Sequence, residues 1–445
     1  MMQTRRAALA GLATATPAFL TACGATATTG SGPAGDAAPA AQLKPGAVIQ
    51  WAVDEGATRT PLREDQVKLF KQQFPNLNVE YVLGSTSTDK LQTLFAANTP
   101  PDLFRQETAG MAHFASRGLT APLDPFMRRD KYDLSDFFPT AWELWKWKGK
   151  YYGLPFLGIR IGFFNRAVAT QVGAKVPTTW KDPAWSFQAF LDAAQKMTVR
   201  SGTTVSRFGA ELAGPTARRD YQQWLWNNGG DLFNADGTKL EFDQPPAMEA
   251  FEFIVDLIHK HRVSPMPQEL QGQGSTAQRF QSGSLASYHA PVNGVASHRT
   301  AAGFDWSLHG MPKGKAKTVS SSGGGVGWFL TGASKVKDET WELMKLLASK
   351  ESVRLEAVRG EAPPSRRSIA NEPAFINPPE PPKGDMKVVV EALEAMHVET
   401  PLLNGVEIDR ILGEELTPVW RGEKQLRQAI ADMANKIRPL LNPAS

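Results

Sequence analysis

From Ala47 onward the apolar positions of this chain switch repeatedly between continuous or alternate-residue runs and a spacing of three to four. Val48 to Val53 is a short apolar run, which predicts a buried strand. Leu62 to Phe74 carries Val67, Phe70 and Phe74 at helical spacing, Val79 to Leu83 is extended, and Thr88 to Ala97 sets Leu91, Leu94 and Phe95 on one helical face. Strand, helix, strand, helix is βαβ patterning and predicts a parallel sheet.

The middle of the chain reads as two halves hinged together. Lys148-Gly149-Lys150 is a turn. Tyr151 to Leu157 is extended, with Pro155 suited only to an edge strand or a strand start, and Ile161 to Phe164 is a second buried strand. One strand leaves one lobe and the next opens another. Asn165-Arg166 starts a short helix ending near Gly173, and a further helix runs from Ser186 to Thr198. Tyr221 to Asn228 is helical, closed by Gly229-Gly230. Asn234-Ala235-Asp236-Gly237 is a hairpin turn rather than a calcium loop, because Leu232 stands at the first ligand position. Pro245 to Lys260 is amphipathic, with Met248, Phe251, Ile254, Val255 and Ile258 on its buried face, and Ser287 to Ala290 is a buried strand. Helices at Thr340 to Ala348, Ile408 to Val419 and Lys424 to Leu441 close the chain.

Composition narrows the partners. The 445 residues are 42% hydrophobic and 21% charged, enough for two or three globular domains. The net charge of +4, or +2 without Arg5 and Arg6, is too small to argue for nucleic acid. Twelve tryptophans are many; most fill cores, and three or four are expected to line a site. Residues 1–23 read as a signal peptide: Thr4-Arg5-Arg6, an apolar run from Ala7 to Phe19, then Leu20-Thr21-Ala22-Cys23. That ending resembles a bacterial lipobox, which implies cleavage before the sole cysteine and diacylation of Cys23, so that lipid alone holds the protein on a membrane. The twin arginine leaves both the general and the folded-protein export routes open. Residues 24–43 are rich in Ala, Thr, Gly, Ser and Pro and predict a flexible tether.

The order G-K-Y-Y-G-L-P from Gly149, F-F-N-R from Phe163 and P-T-T-W from Pro177 resembles the mid-chain signature of family 1 extracellular solute-binding proteins, the maltose-binding-protein-like carbohydrate receptors of ABC importers. Pro100-Pro101-Asp102-Leu103-Phe104 resembles that family's next strand in its first lobe. Tyr221 to Gly230 resembles its helix ending in W-x-x-x-G-G, Phe280 to Ala286 its F-x-x-G-x-x-A element, and Phe304-Asp305-Trp306 with Pro312 its exit strand. The resemblance spans roughly residues 45 to 441. It implies an α/β, two-lobed periplasmic-binding-protein-like fold of type II with a hinged cleft. The lobes expected are 44–156 plus 321–361 and 157–320 plus 362–445. It also implies a monomer that captures a small carbohydrate-like ligand by closure and presents it to the transmembrane subunits of an ABC permease, without cofactors.

Ligands of open α/β sheets sit beyond the carboxyl ends of strands. Glu55 after the first strand and Arg105 and Glu107 after the third are therefore expected in the lining. By position in the family, Arg219 and Tyr221 correspond to sugar contacts, His289 to Asn293 lies at a pocket-forming strand end, and Gly324 belongs to a glycine run allowing close backbone approach. Trp224 shares a helical face with Tyr221 and either packs or stacks on the ligand. Arg105, Arg160 and Arg219 favour an acidic ligand, whereas Glu55 and Glu107 disfavour a phosphate. No H-E-x-x-H, G-x-S-x-G, strand-linked G-x-G-x-x-G or G-x-x-x-x-G-K-[ST] motif is present, and the seven histidines lack metal spacing. A secreted glycan-degrading lipoprotein, needing only two opposed carboxylates, is the competing reading.

Overall fold

The structure is a computed structural model and describes residues 40–53, 59–84, 87–212, 218–301, 303–317, 321–322, 325–382 and 384–443. The elements that position the site are numbered here in chain order. The strands are β1 (Val48–Val53), β2 (Asn78–Leu83), β3 (Leu103–Glu107), β4 (Gly153–Phe156), β5 (Arg160–Asn165), β6 (Ser287–Pro291), β7 (Trp306–His309) and β8 (Val326–Leu330). The helices are α1 (Arg59–Gln73), α2 (Thr88–Ala96), α3 (Thr108–Ser116), α4 (Phe187–Met197), α5 (Arg218–Asn227), α6 (Pro245–His259), α7 (Lys337–Leu347), α8 (Lys350–Val358), α9 (Gly405–Trp420) and α10 (Leu426–Ile437).

Five strands form the first sheet in the order β2-β1-β3-β8-β4. β1 runs parallel to β2 and β3, while β8 is antiparallel to both β3 and β4. Ile49, Trp51 and Val53 face a core shared with Phe70 of α1 and Trp341 of α7; Ala52 and Phe104 face the opposite core, with Leu91 of α2 and Phe114 of α3. With both faces covered, β1 reads as a nearly unbroken apolar run. β4 is the edge strand, where Pro155 removes no ladder bond that the sheet needs. The turn at Lys148-Gly149, both at positive φ, joins Lys146–Trp147 to Lys150–Tyr151 as a two-residue hairpin.

The second sheet is antiparallel, β6-β5-β7. At its centre a side chain on Gly162 would meet the His309 ring at 2.1 Å, so only glycine leaves that imidazole its place. His309 Nδ1 donates to the Gly310 carbonyl at 2.8 Å, which leaves Nε2 to accept from Ser287 Oγ at 3.1 Å. Helices α4, α5, α6, α9 and α10 pack around this sheet, and α9 also reaches α3.

The chain crosses from the first sheet to the second between Phe156 and Arg160 and returns between His309 and Val326. Beyond residue 361, Arg366 and Ser368 are bonded to Asp136, and Glu372 to Arg354. Two details differ from expectation. Arg105 to Glu107 belong to β3 rather than to a following loop. A hairpin at Val199–Ser201 and Thr204–Arg207 and a parallel pairing of Ser321–Ser322 with Met396–His397 carry no clear apolar pattern.

Candidate functional site

The first sheet ends in a rung of three residues, Glu107 of β3, Val326 of β8 and Phe156 of β4. The second begins with the pair Arg160 of β5 and Pro291 of β6. Between them runs the crossing Leu157-Gly158, and beside it Gly325, whose added side chain would lie 3.4 Å from Gly158 N. These rungs enclose a cavity of about 180 Å³, closed laterally by Arg59, Arg105, Arg219, Asn293 and Glu361. A larger cavity, about 670 Å³, lies at the far end of the first sheet among Val48, Gln50 and Asp102, where strands begin. The smaller one is the functional candidate, because it lies at the carboxyl ends of β3 and β4, touches both sheets and holds the converging charges.

Those charges are organised in pairs. Glu107 forms an ion pair with Arg219, from the first turn of α5, directly across the cleft. Arg160 Nη1 lies 2.5 Å from Asp220 Oδ1, and Arg59 Nε 3.5 Å from Glu361 Oε2. Beneath them Arg218 reaches Glu399 at 3.2 Å, whose other bond comes from Thr108 Oγ1 at 2.7 Å. Burial works to raise the Glu107 pKa, but Arg219, aided by Arg105 and Arg160, outweighs it and holds the carboxyl below its ordinary value. Burial, reinforced by the neighbouring Arg219, lowers the Arg160 pKa against the pull of Asp220. Glu361 is 4% exposed, and its Oε1 is buried without a hydrogen-bond partner.

Arg105, Glu107, Arg160, Arg219 and Asn293 thus line one cavity. Tyr221, Trp224 and His289 lie elsewhere. Tyr221 is 1% exposed against Phe251 and Trp420; Trp224 is fully buried among Phe187, Phe190, Phe253 and His289, with ring centroids 5.2 to 5.8 Å away. The strand alternation of β6 turns His289 to the same interior, its ring 5.0 Å from that of His309. Burial drives the His289 pKa well down, so it is neutral. Tyr221 and Trp224 are core residues; His289 is only half-buried, packs against Phe190 and Trp224 and does not line the cavity, so the cleft positions expected of Tyr221 and His289 are corrected and Trp224 is resolved as packed. The helix face that Tyr221 and Trp224 share points inward; Arg219 is the residue of α5 that reaches the cleft. All twelve tryptophans are buried, so the three or four expected at a site are absent from the described lining. Glu55, Gly324 and Cys23 lie outside the described residues.

Arg59 and Glu361 were not legible in the sequence. Arg59 reads as an unremarkable helix start, and nothing in one dimension brings it to the residue following Gly360. Among the described residues no cluster of His, Cys, Asp or Glu is placed to hold a metal ion, and no helix is long and apolar enough to cross a membrane.

A sequence model of the family described as bacterial extracellular solute-binding protein matches residues 52–354. The chain belongs to that family. A binding protein of Brucella abortus is 26% identical over 315 residues, covering 68% of this chain and 72% of its own. Two solved structures share the two-lobed fold with this solute-binding protein. An ABC substrate-binding protein of Listeria monocytogenes in complex with cycloalternan superposes with a TM-score of 0.77 at 20% identity, covering 88% of this chain and 98% of that one. The Mycobacterium tuberculosis protein UgpB, in complex with glycerophosphocholine, superposes with a TM-score of 0.76 at 18% identity, over the same shares. Family membership makes this an exported binding protein rather than an enzyme.

Proposed function

We propose that the chain is the substrate-binding component of an ABC importer, taking a hydroxylated solute, a sugar or close relative, into the cleft and presenting it to a membrane permease in the closed form. The observation that carries this reading is the construction of the cavity: the last rung of one sheet and the first rung of the other share its wall. A solute held there touches both lobes at once only when they are together, so its binding energy favours closure. The ligands of the two structural relatives, cycloalternan and glycerophosphocholine, are both rich in hydroxyl or phosphate oxygens and support the same class.

In this reading the lobes part near residues 156 and 320, with the last crossing beyond Glu372. Arg105, Glu107, Arg160, Arg219, Asn293 and Glu361 bind the solute, joined by Glu55 and Gly324 from neighbouring segments. The protein works as a monomer, held at the cell surface or in the periplasm by acyl chains on Cys23.

The test is a thermal-shift screen of the chain against mono-, di- and oligosaccharides, polyols and glycerophosphates. A ligand that binds only the native state raises the melting temperature, by RT ln(1 + [L]/Kd) in free energy. A saturable rise with at least one compound is expected. Turnover of an oligosaccharide at catalytic ratios would overturn the reading.

A further inference from the structure

The walls of the cavity carry more than a neutral sugar requires. Among the described lining residues four arginines come from four separate elements, Arg59 of α1, Arg105 of β3, Arg160 of β5 and Arg219 of α5, against two carboxylates, Glu107 and Glu361. Phe156 is the only described aromatic residue in the lining. Arg160 and Arg219 each keep only 16% of their side chains exposed, so the arginine wall is largely withdrawn from water. Three of the guanidinium groups act on a single carboxylate, that of Glu107, which is itself 55% exposed to the cleft.

We propose that the ligand is a small hydroxylated acid, carrying a carboxylate or phosphate group that docks on Arg105, Arg160 and Arg219, and that Glu107 stands in the place of that group in the ligand-free protein. The inference rests on the solute-binding reading and names the charge of its solute. Guanidinium groups are planar, always charged and matched to carboxylate and phosphate oxygens in pairs, and such contacts are strongest where water is scarce. A neutral pyranose would need an apolar platform for its ring face; here one phenyl ring is present, and all twelve indoles are buried. The size agrees: about 180 Å³ is below the roughly 300–1,000 Å³ typical of drug-sized ligands, and suits a single sugar-sized unit. Glu361 lines the same cavity, and its Oε1 is buried without a hydrogen-bond partner.

The experiment pairs compounds that differ in charge alone. Glucose and galactose are compared with their uronic acids and 6-phosphates, and glycerol with glycerol 3-phosphate, by thermal shift and titration calorimetry on the full chain. Acetate and inorganic phosphate serve as the anions alone. At least one acid is expected to bind on the order of 10- to 100-fold more tightly than its neutral partner; the uronate and phosphate arms show which anion is meant. Arg219→Gln is expected to remove most of that difference, and Arg105→Gln serves where the first variant is unfolded by circular dichroism. Glu107→Gln is expected to tighten acid binding, since it clears the guanidinium groups of their internal anion. Neutral sugars binding as tightly as their acids would overturn the inference and leave the solute-binding reading intact. Equal loss of neutral and acidic ligands in Glu107→Gln would overturn the stand-in role. Failure of every compound, charged or not, would count against both.

Discussion

Glu107 and Arg219 meet across the cleft, one at the carboxyl end of β3 and the other in the first turn of α5, so a single ion pair joins elements of the two sheets. The Glu107 side chain is 55% exposed, and a pair so open to water contributes only about 0–1 kcal/mol. Its effect is therefore on how the lobes sit rather than on whether they fold. Glu107→Ala is expected to change unfolding stability in urea by less than about 1 kcal/mol while enlarging the ligand-free radius of gyration in solution scattering. A loss of about 3 kcal/mol, of the size seen when a buried pair is broken, would show instead that the pair is structural.

Trp224 gives the contrasting case. Its indole is fully buried between α4, α6 and His289. Trp224→Ala is expected to cost about 3–5 kcal/mol of stability, with ligand affinity little changed when measured where the variant is still folded. A drop in affinity with stability intact would return Trp224 to the cleft.

The difference between these two residues shows what the sequence could reveal. β1, β2, α1 and α2 were legible because period-two or continuous apolar runs and 3.6-residue spacings report burial directly, and the edge position of β4 was legible in Pro155. Glu107 was legible as a cleft candidate because topology places strand ends at a sheet's rim, and Arg219 because the family resemblance sets a contact near the start of that helix. For Trp224 the choice between packing and stacking was not legible, because spacing shows that Tyr221 and Trp224 share a face without showing which neighbour covers it. Arg59 and Glu361 stayed hidden because their approach depends on α1 and the end of α8 meeting in three dimensions.

A second buried charge lies just behind the cleft. Arg63 sits 5.0 to 5.5 Å from the ring centres of Trp51, Phe156 and Trp328 and bonds Glu356 at 3.4 Å. Burial raises the Glu356 pKa from 4.5 to about 7, with Arg63 opposing. The folded value is above the unfolded one, so the folded state holds the proton more tightly. That contribution is complete below about pH 4.5 and is lost as pH rises through 7. The loss is on the order of 3 kcal/mol. Urea melts at pH 5 and pH 8 should show the native chain losing stability relative to Glu356→Gln as pH rises. Equal pH slopes for the two proteins would refute the assignment.

The lipid anchor proposed from Leu20-Thr21-Ala22-Cys23 makes a cellular prediction. Cys23→Ser should yield a folded chain that moves from the membrane to the soluble fraction, since Cys23 carries the only thiol on the chain to which a diacylglyceryl group could be joined as a thioether. Unchanged membrane association of that variant would defeat the proposal.

Closure itself is testable at the crossings. Leu157-Gly158 and Gly325 run side by side, and a methyl group on Gly325 would already lie 3.4 Å from Gly158 N and 3.6 Å from Leu157 Cα. Relative motion of the lobes must change torsions along these strands, because they connect the two sheets. A compound that raises the melting temperature should therefore also shrink the radius of gyration of the native chain. Gly325→Val adds a branched side chain between the crossings and should cost about 1–3 kcal/mol by overpacking. It should also reduce both the ligand-induced shrinkage and the affinity, because part of the binding energy is then spent forcing the crossings past each other. Scattering of both proteins with and without the same compound separates the outcomes. An unchanged radius in the native chain, at a concentration that saturates the thermal shift, would mean that the solute binds without closure and that the two-walled cavity works as a rigid site.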